Sequence, residues 1–261
     1  MRTTDMADEL FCGPETELPA GVRLATAKRG GVTVTRVEIA REGLARPRGR
    51  YVTLEMPSVS VLDERDADVI ETGAAELRAL LPPEGPVLVL GIGNRRVTAD
   101  ALGPRTAQKI LVTMGPQHTL PVRGIRPVAA LAPGVSGDTG LTLRQLAAAM
   151  ADAVRPAALI CVDSLCSAEA ARLGRTIQFS DTGLHPADAR HARHLDAAAL
   201  GVPVIAAGIP TLMDADEGAD LVLTPRALDS VIAHGSALLA GILNRALQPR
   251  LSVAQLCWLT G

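Results

Sequence analysis

Val87-Leu88-Val89-Leu90-Gly91-Ile92-Gly93-Asn94 is a continuous apolar run that ends in two glycines and an asparagine. Strands buried on both faces of a parallel sheet have this composition, and ligands bind beyond their carboxyl ends. The glycines at 91 and 93 allow a sharp turn and a close approach of the backbone to a neighbouring group. We therefore predict a central parallel strand that leads into a functional loop.

The same alternation of strand and helix patterns continues along the chain. Further apolar strand patterns lie at residues 158–162, 175–179 and 202–207. Helical patterns lie at residues 63–81, 100–112, 141–154, 188–200 and 226–247. This order is typical of an α/β fold, and it predicts a mainly parallel, twisted sheet with helices on both faces.

The N-terminal part of the chain has a different pattern. Residues 32–39 and 51–56 alternate between apolar and polar side chains, which is the period of a half-buried strand. A basic stretch joins them, so we predict an antiparallel pair of strands at the edge of the sheet. Residues 1–30 show little periodicity, and we expect an irregular arm there. We assign the remaining residues, 31–261, to a single α/β domain.

Composition argues against several classes of function. The chain has 26 basic and 28 acidic side chains and only 2% aromatic residues, so neither charge nor stacking favours nucleic-acid binding. The four cysteines are scattered, which indicates reduced thiols and no zinc site. No apolar run approaches membrane-spanning length, and no signal-peptide core is present. We expect a cytoplasmic protein with no nucleic-acid or membrane partner.

Two aspartates follow predicted strands at positions where chemistry is expected. Asp163 comes directly after an apolar strand pattern, and Asp100 lies in the loop that begins at Gly91. A carboxylate in such partly dry surroundings costs free energy unless it is paired or used. Each aspartate has a structural alternative as the N-cap of a following helix, and the residues alone leave the choice open. Asn94 either holds the loop or orients a substrate carbonyl.

A third loop, residues 180–186, carries Asp181 and His185. His185 is a candidate metal ligand or base, although histidines in loops are more often simply solvated. His191 and His194 would share one face of the predicted helix, and a surface face is the more ordinary reading of that spacing.

Two familiar motifs occur only in fragments. Asp-Thr-Gly appears at residues 138–140 and 181–183, as in pepsin-like proteases, but the two aspartates are only 43 positions apart and helical patterns separate them. The run from Gly91 begins like a dinucleotide-binding fingerprint, but Arg96 replaces its third glycine. We therefore set both classes aside.

Six stretches of the chain carry a family resemblance. They read Arg50-Tyr-Val-Thr-Leu-Glu55, Gly91-Ile-Gly-Asn94 with Val97-Thr-Ala-Asp-Ala-Leu-Gly-Pro104, Arg126-Pro-Val-Ala-Ala-Leu-Ala-Pro-Gly-Val135, Val162-Asp-Ser-Leu165, Thr176-Ile-Gln-Phe-Ser-Asp-Thr-Gly-Leu-His-Pro186 and Leu200-Gly-Val-Pro-Val-Ile-Ala-Ala-Gly-Ile-Pro-Thr211. In this order they resemble the germination protease of spore-forming bacteria. The resemblance implies an endopeptidase for small acid-soluble spore proteins in the forespore or spore core, related in fold to hydrogenase-maturation endopeptidases. It also implies a homo-oligomer, such as a tetramer.

The resemblance also assigns roles to the candidate residues. The two aspartates put forward as catalytic in the family fall on Asp100 and Asp163. We hypothesise that they activate a water molecule, one carboxylate accepting a proton while the other donates one. Supporting or substrate-binding roles then fall to Gly91, Gly93, Asn94, Asp181 and His185. No cofactor is expected.

Two alternatives stay open beside this mechanism. In one, Asp100, Asp163 and His185 hold a metal ion, and the chain is a metal-dependent peptidase. In the other, the chain binds spore proteins without cutting them.

The N-terminus resembles the processing region of the family, whose members are made as inactive precursors. Residues 2–8 read Arg-Thr-Thr-Asp-Met-Ala-Asp, which is also similar to an acidic-apolar-Ala substrate site. We therefore predict self-cleavage between Asp5 and Met6 that removes a short prosegment. The alternative is that these residues are an ordinary disordered start. The sequence departs from the family at residues 187–194, where a glycine-rich basic stretch is usual.

Overall fold

A computed structural model describes residues 3–12, 17–63, 65–115, 124–185, 194–215 and 221–260. The strands are β1 (Val22–Arg29), β2 (Val32–Ile39), β3 (Gly49–Glu55), β4 (Val87–Gly91), β5 (Val128–Leu131), β6 (Ala158–Cys166), β7 (Thr176–Ser180), β8 (Val204–Asp214) and β9 (Val222–Leu223). The helices are α1 (Ala67–Leu80), α2 (Leu102–Ala107), α3 (Ser136–Thr139), α4 (Leu143–Val154), α5 (Ala197–Leu200), α6 (Leu228–Leu247) and α7 (Val253–Thr260). Short 3-10 helices lie at Asp8–Leu10, Val59–Val61, Thr98–Asp100 and Ala170–Arg172.

The described strands form one sheet in the order β1-β2-β3-β7-β8-β6-β4-β5, with β9 paired to β8. The strands β8, β6, β4 and β5 are parallel, as predicted for the centre of the sheet. The predicted antiparallel pair is confirmed as β2 and β3. Strand β7 joins the two halves and runs antiparallel to both β3 and β8, although the alternation had suggested a parallel strand there.

Helices cover both faces of the sheet, which confirms the predicted α/β architecture. Alternate residues of β4 point to opposite faces, so Val87 and Val89 pack in the core beneath α1, α2 and α6. Leu88 and Leu90 pack in a second core beneath α4 and α5. Helix α6 is long and apolar enough to cross a membrane by length and composition, but 72% of that apolar stretch is buried inside the fold. It is the central helix of the first core.

The prediction of an irregular arm at residues 1–30 is wrong for two of its parts. Strand β1 pairs along its whole length with β2, so the proposed boundary at residue 30 falls inside a hairpin. The apolar pattern of β1 in the sequence is weak, because Val22 is the one buried residue of this edge strand. Nearer the terminus, Met6 and Ala7 are fully buried, so this segment packs against the domain.

Several predicted helices differ from the observed ones. The pattern at 100–112 yields only the 3-10 turn Thr98–Asp100 and the short α2. The pattern at 141–154 becomes α4, which begins after a capping box formed by Thr142 and Gln145. Of the pattern at 188–200, residues 194–200 are described, and among them only Ala197–Leu200 form a helix, α5. Pro186 and His191 are outside the described residues.

Candidate functional site

A cavity of about 390 Å³ lies beside the carboxyl end of the parallel strands. Its wall is formed by the N-terminal segment, the loop after β4, strand β6, strand β7 with the loop that follows, and strand β8. Among the lining residues are Asp5, Arg46, Asp100, Asp163 and His185. The topology thus brings together side chains that are up to 180 positions apart in the sequence.

Asp100 ends the 3-10 turn in the loop after β4. Its Oδ2 accepts a hydrogen bond of 2.7 Å from the backbone N–H of Asn94. Gly93 has a φ of +121°, and a Cβ there would overlap the backbone oxygen of Asp100. The turn therefore requires glycine at 93. The N-cap alternative is wrong for Asp100, because Ala101 occupies the N-cap position of α2.

Asp163 lies inside β6, which continues to Cys166, so it does not end the strand or cap a helix. It is only 5% exposed, and its Oδ1 accepts a hydrogen bond of 2.8 Å from the N–H of Ser164. Gly208 of β8 is its partner in the sheet, and a Cβ at 208 would overlap the backbone oxygen of Asp163. The N-cap alternative is therefore wrong here too, and the parallel sheet holds this carboxylate at the cavity.

The other predicted residues shape the loops more than the cavity. Gly91 packs against Gly103 of α2, where a Cβ would overlap the backbone. The side chain of Asn94 accepts a hydrogen bond from the N–H of Arg96, which closes the loop on itself. The carboxylate of Asp181 accepts bonds of 2.7 Å from both the N–H and the Nε of Arg50. Asn94 and Asp181 are not among the residues that line the cavity.

His185 lines the cavity, but its ring is already engaged. Its Nε2 lies 2.9 Å from the carbonyl oxygen of Thr182, and its Nδ1 lies 3.3 Å from Nδ1 of His194. Because a carbonyl only accepts, Nε2 of His185 carries the hydrogen in the contact with Thr182. Across the described residues, no three His, Cys, Asp or Glu side chains are grouped to hold a metal ion. The metal alternative with Asp100, Asp163 and His185 therefore has no assembled ligand set.

The thiol and the phenol at the cavity are both protonated at neutral pH. Burial raises the pKa of the Cys166 thiol to about 12, and the nearby charges of Asp5 and Asp214 act in the same direction. Burial also raises the pKa of Tyr51 to about 12. The reactive form of cysteine is the thiolate, so Cys166 is a poor nucleophile in this setting. The two aspartates are the better candidates for proton transfer.

Arg46 and Gln178 are functional candidates that the sequence did not single out. Arg46 lies in a basic stretch that is typical of a solvated loop, yet its side chain is 8% exposed and lines the cavity. Gln178 lies in β7 at a position that alternation alone would assign to solvent, and it is also buried. Both contact the N-terminal segment, and no local sequence pattern signals such a distant contact.

Comparison with known proteins places this site in a family. The sequence model described as germination protease matches residues 7–217. The chain belongs to the germination protease family. This confirms the resemblance found in the sequence and indicates a peptidase. Asp100 and Asp163 lie within the matched residues, whereas Asp5 and Met6 precede them.

Several relatives carry the name germination protease. One from Clostridium perfringens (strain SM101) is 32% identical over 278 residues, covering 84% of this chain and 86% of the relative. One from Clostridium acetobutylicum is 29% identical and covers 96% and 95%. One from Caldanaerobacter subterraneus subsp. tengcongensis is 39% identical over 222 residues and covers 80% and 67%. Among solved structures, a NiFe hydrogenase maturation protease from Thermococcus kodakarensis KOD1 is 16% identical, with a TM-score of 0.44 over 66% of this chain and 98% of that one.

Proposed function

We propose that this chain is an endopeptidase that degrades small acid-soluble spore proteins in the spore core during germination. Its family membership supports the reaction class and the substrate. The observation that carries the chemistry is that Asp100, from the loop after β4, and Asp163, from strand β6, line one cavity. That cavity is the proposed substrate-binding site.

The proposed reaction is attack of a water molecule held between these two carboxylates. The ionised carboxylate takes a proton from the water molecule while the water oxygen attacks the scissile carbonyl carbon. The protonated carboxyl group gives its proton to the carbonyl oxygen. When the C–N bond breaks, the first aspartate passes its proton to the leaving nitrogen. The second recovers a proton from the hydroxyl that becomes part of the new carboxyl group. Both aspartates thus return to their starting states.

We further propose that the chain cleaves itself between Asp5 and Met6. Asp5 lines the same cavity as the two aspartates, so the bond lies in the neighbourhood of the proposed chemistry. The carbonyl oxygen of Asp5 accepts a bond of 2.9 Å from Nε2 of Gln178, which fixes that peptide unit. This cut would release the first five residues.

The resemblance supports assembly into a homo-oligomer, such as the tetramer of the family. Light scattering coupled to size-exclusion chromatography tests this part of the proposal by itself. A mass of one chain at all concentrations would contradict it.

Cleavage of a small acid-soluble spore protein, read by mass spectrometry, tests the main proposal. The full chain and a chain lacking residues 1–5 are each compared with Asp100→Asn and Asp163→Asn. Asp152→Asn is the matched control, because Asp152 is exposed on α4 and is not among the residues that line the cavity. We expect discrete fragments from the parent chain and from the control. Asp100→Asn and Asp163→Asn should each cleave the spore protein about 100-fold more slowly, or more slowly still.

A parallel sample with a strong chelator separates the alternatives. Cleavage that survives the chelator supports the paired carboxylates. Cleavage that the chelator abolishes would replace them with a metal-dependent mechanism. Binding of the spore protein without fragments would contradict the enzyme and leave a binding protein.

A further inference from the structure

His185 and His194 face each other across a short antiparallel bridge beside the cavity. Leu184 and Leu195 form this bridge, and each donates its N–H to the carbonyl oxygen of the other, at 2.8 and 3.1 Å. His185 and His194 are the next pair along, so they are a non-hydrogen-bonded pair, whose side chains lie close together on one face. Both leucines are buried in the second core. The spacing of the two imidazole rings is therefore set by ordered backbone.

The hydrogen bonds of His185 leave one of its ring nitrogens for the partner ring. Its Nε2 donates to the carbonyl oxygen of Thr182 at 2.9 Å, and Oδ2 of Asp196 lies 3.9 Å from the same nitrogen. In the neutral ring, the lone pair is then on Nδ1, which lies 3.3 Å from Nδ1 of His194. Histidines that bind metals share this arrangement, because a bond from one nitrogen to a carbonyl fixes the tautomer and the other nitrogen binds the ion.

The separation of the two Nδ1 atoms matches that of two ligands on one tetrahedral ion. Zn²⁺ binds histidine nitrogens at about 2.0–2.1 Å, so two such nitrogens at the tetrahedral angle are about 3.4 Å apart. The observed separation is 3.3 Å. A hydrogen on Nδ1 of His194 fits the same gap, so a metal ion and that hydrogen compete for it.

We propose that His185 and His194 bind a divalent transition-metal ion, such as Zn²⁺, through their two Nδ1 atoms. Water molecules would complete the coordination, since the described part of the chain groups no three His, Cys, Asp or Glu side chains around an ion. Imidazole nitrogens suit zinc, copper and nickel, whereas magnesium and calcium prefer oxygen ligands. The site is separate from the metal alternative above, because neither Asp100 nor Asp163 is a ligand. The inference does not rest on the proposed function.

The ion would stabilise the wall of the cavity and take no part in the proposed proton transfer. His185 lines the cavity, whereas His194 is exposed and is not among the lining residues. The carbonyl oxygen of His185 also accepts a bond of 2.8 Å from Nη1 of Arg46, another lining residue. An ion bound to the pair would therefore join residues 185 and 194 from the solvent side of this wall.

Isothermal titration calorimetry with Zn²⁺ tests the site on the full chain, purified without a histidine tag. We expect saturable binding of zinc and none of Mg²⁺ under the same conditions. His194→Gln should weaken zinc binding by about 100-fold or more, because losing a ligand costs at least as much as losing a group that supports one. His185→Gln should have the same effect. His194 is exposed, so His194→Gln decides the matter even if His185→Gln does not fold.

His234→Gln is the matched control. His234 is also exposed, and its Nδ1 also lies 2.9 Å from a main-chain carbonyl, that of Leu62, but it is on α6 and does not line the cavity. The control should bind zinc as tightly as the parent chain. Asp163→Asn should keep the same affinity, because Asp163 is not a ligand of the proposed ion.

The outcomes separate this inference from the proposed function. It would be overturned if the parent chain shows no saturable zinc binding, or if His194→Gln binds zinc as tightly as the parent. Loss of zinc binding in Asp163→Asn would also overturn it, and would place the ion among the cavity carboxylates. Calorimetry measures binding alone, so none of these results depends on whether the chain cuts a spore protein.

Discussion

The backbone N–H of Asn94 donates to Oδ2 of Asp100 at 2.7 Å, and this bond closes the turn that Gly93 makes possible. One of the two cavity aspartates is therefore positioned by a loop, while the other is positioned by a strand of the central sheet. Loop geometry depends on a few backbone dihedral angles. The position of Asp100 is consequently the more easily disturbed of the two.

Gly93→Ala should displace Asp100 and lower cleavage. Glycine at 93 has a φ of +121°, and an added Cβ would overlap the backbone of Asp100. We expect a loss of about 1–3 kcal/mol in the free energy of unfolding, as for other strained backbones. Cleavage should fall by about 100-fold, since small displacements of catalytic groups have effects of that size.

Urea denaturation and the cleavage assay measure these two effects. Gly137→Ala is the control, because Gly137 has no positive φ and no atom lies within 4 Å of a Cβ built there. Equal activity in both variants would show that the turn does not set the position of Asp100.

Asp100→Asn and Asp163→Asn should each lower kcat by about 10²–10⁴-fold, because each removes one partner of the proposed proton transfer. Groups that act as a unit show strong non-additivity. The double variant should therefore be no slower than the slower single variant, within the error of a steady-state assay. Multiplied losses in the double variant would contradict a coupled pair.

Arg172→Met should lower the stability of the protein more than the loss of an exposed ion pair does, because Arg172 anchors the N-terminal segment. Arg172 is 14% exposed and faces Asp8 and Glu9, so its removal leaves two carboxylates in a buried site. The expected loss is about 3–5 kcal/mol in the free energy of unfolding. Arg23→Met, which breaks the exposed pair with Glu38, should change it by less than about 1 kcal/mol. Similar midpoints for both variants in urea would refute the anchoring role.

The alkylation rate of Cys166 should rise steeply with pH. Its pKa is raised from 9.0 to about 12, so the thiolate fraction grows about tenfold per pH unit between pH 8 and 10 without levelling off. For a thiol with a pKa of 9.0, the alkylation rate would instead begin to level off above pH 9. Iodoacetamide labelling followed by peptide mapping measures the profile. A plateau at pH 10 would mean that burial does not control this thiol.

The parts of the fold set by local patterns were predictable from the sequence. The apolar run of β4 and the alternation in β2 match the burial of these strands, and the structure confirms both. Strand β3 is also confirmed as a strand, although four consecutive residues, 51–54, are buried in it and the burial does not alternate. Asp100 and Asp163, which line the cavity, are also candidates from the sequence, because each follows an apolar strand pattern and parallel sheets bind ligands beyond such strands. Strand β6 continues past Asp163, which the pattern does not predict. Strand β1 was missed, since an edge strand with exposed side chains has no such periodicity.

The contacts of the N-terminal segment were not predictable in this way. Gln178 and Ala7 are 171 positions apart in the sequence, and Arg46 lies in a stretch whose charge is equally typical of a solvated loop. Whether a polar residue in an alternating strand meets water or another segment is decided by tertiary packing. No local property of Arg46 or Gln178 carries that information.

The burial of Met6 would make the proposed self-cleavage a one-way step. Met6 is 0% exposed, so a cut on its N-terminal side would create an ammonium group in buried surroundings. The new carboxyl group of Asp5 would add an anion next to the existing carboxylate. Isolated charges in such surroundings are strongly disfavoured, so the two new ends would separate into solvent. A reverse reaction would have to bring the carboxyl group of Asp5 and the ammonium group of Met6 together again. Because the two groups would have separated, the cut would be irreversible.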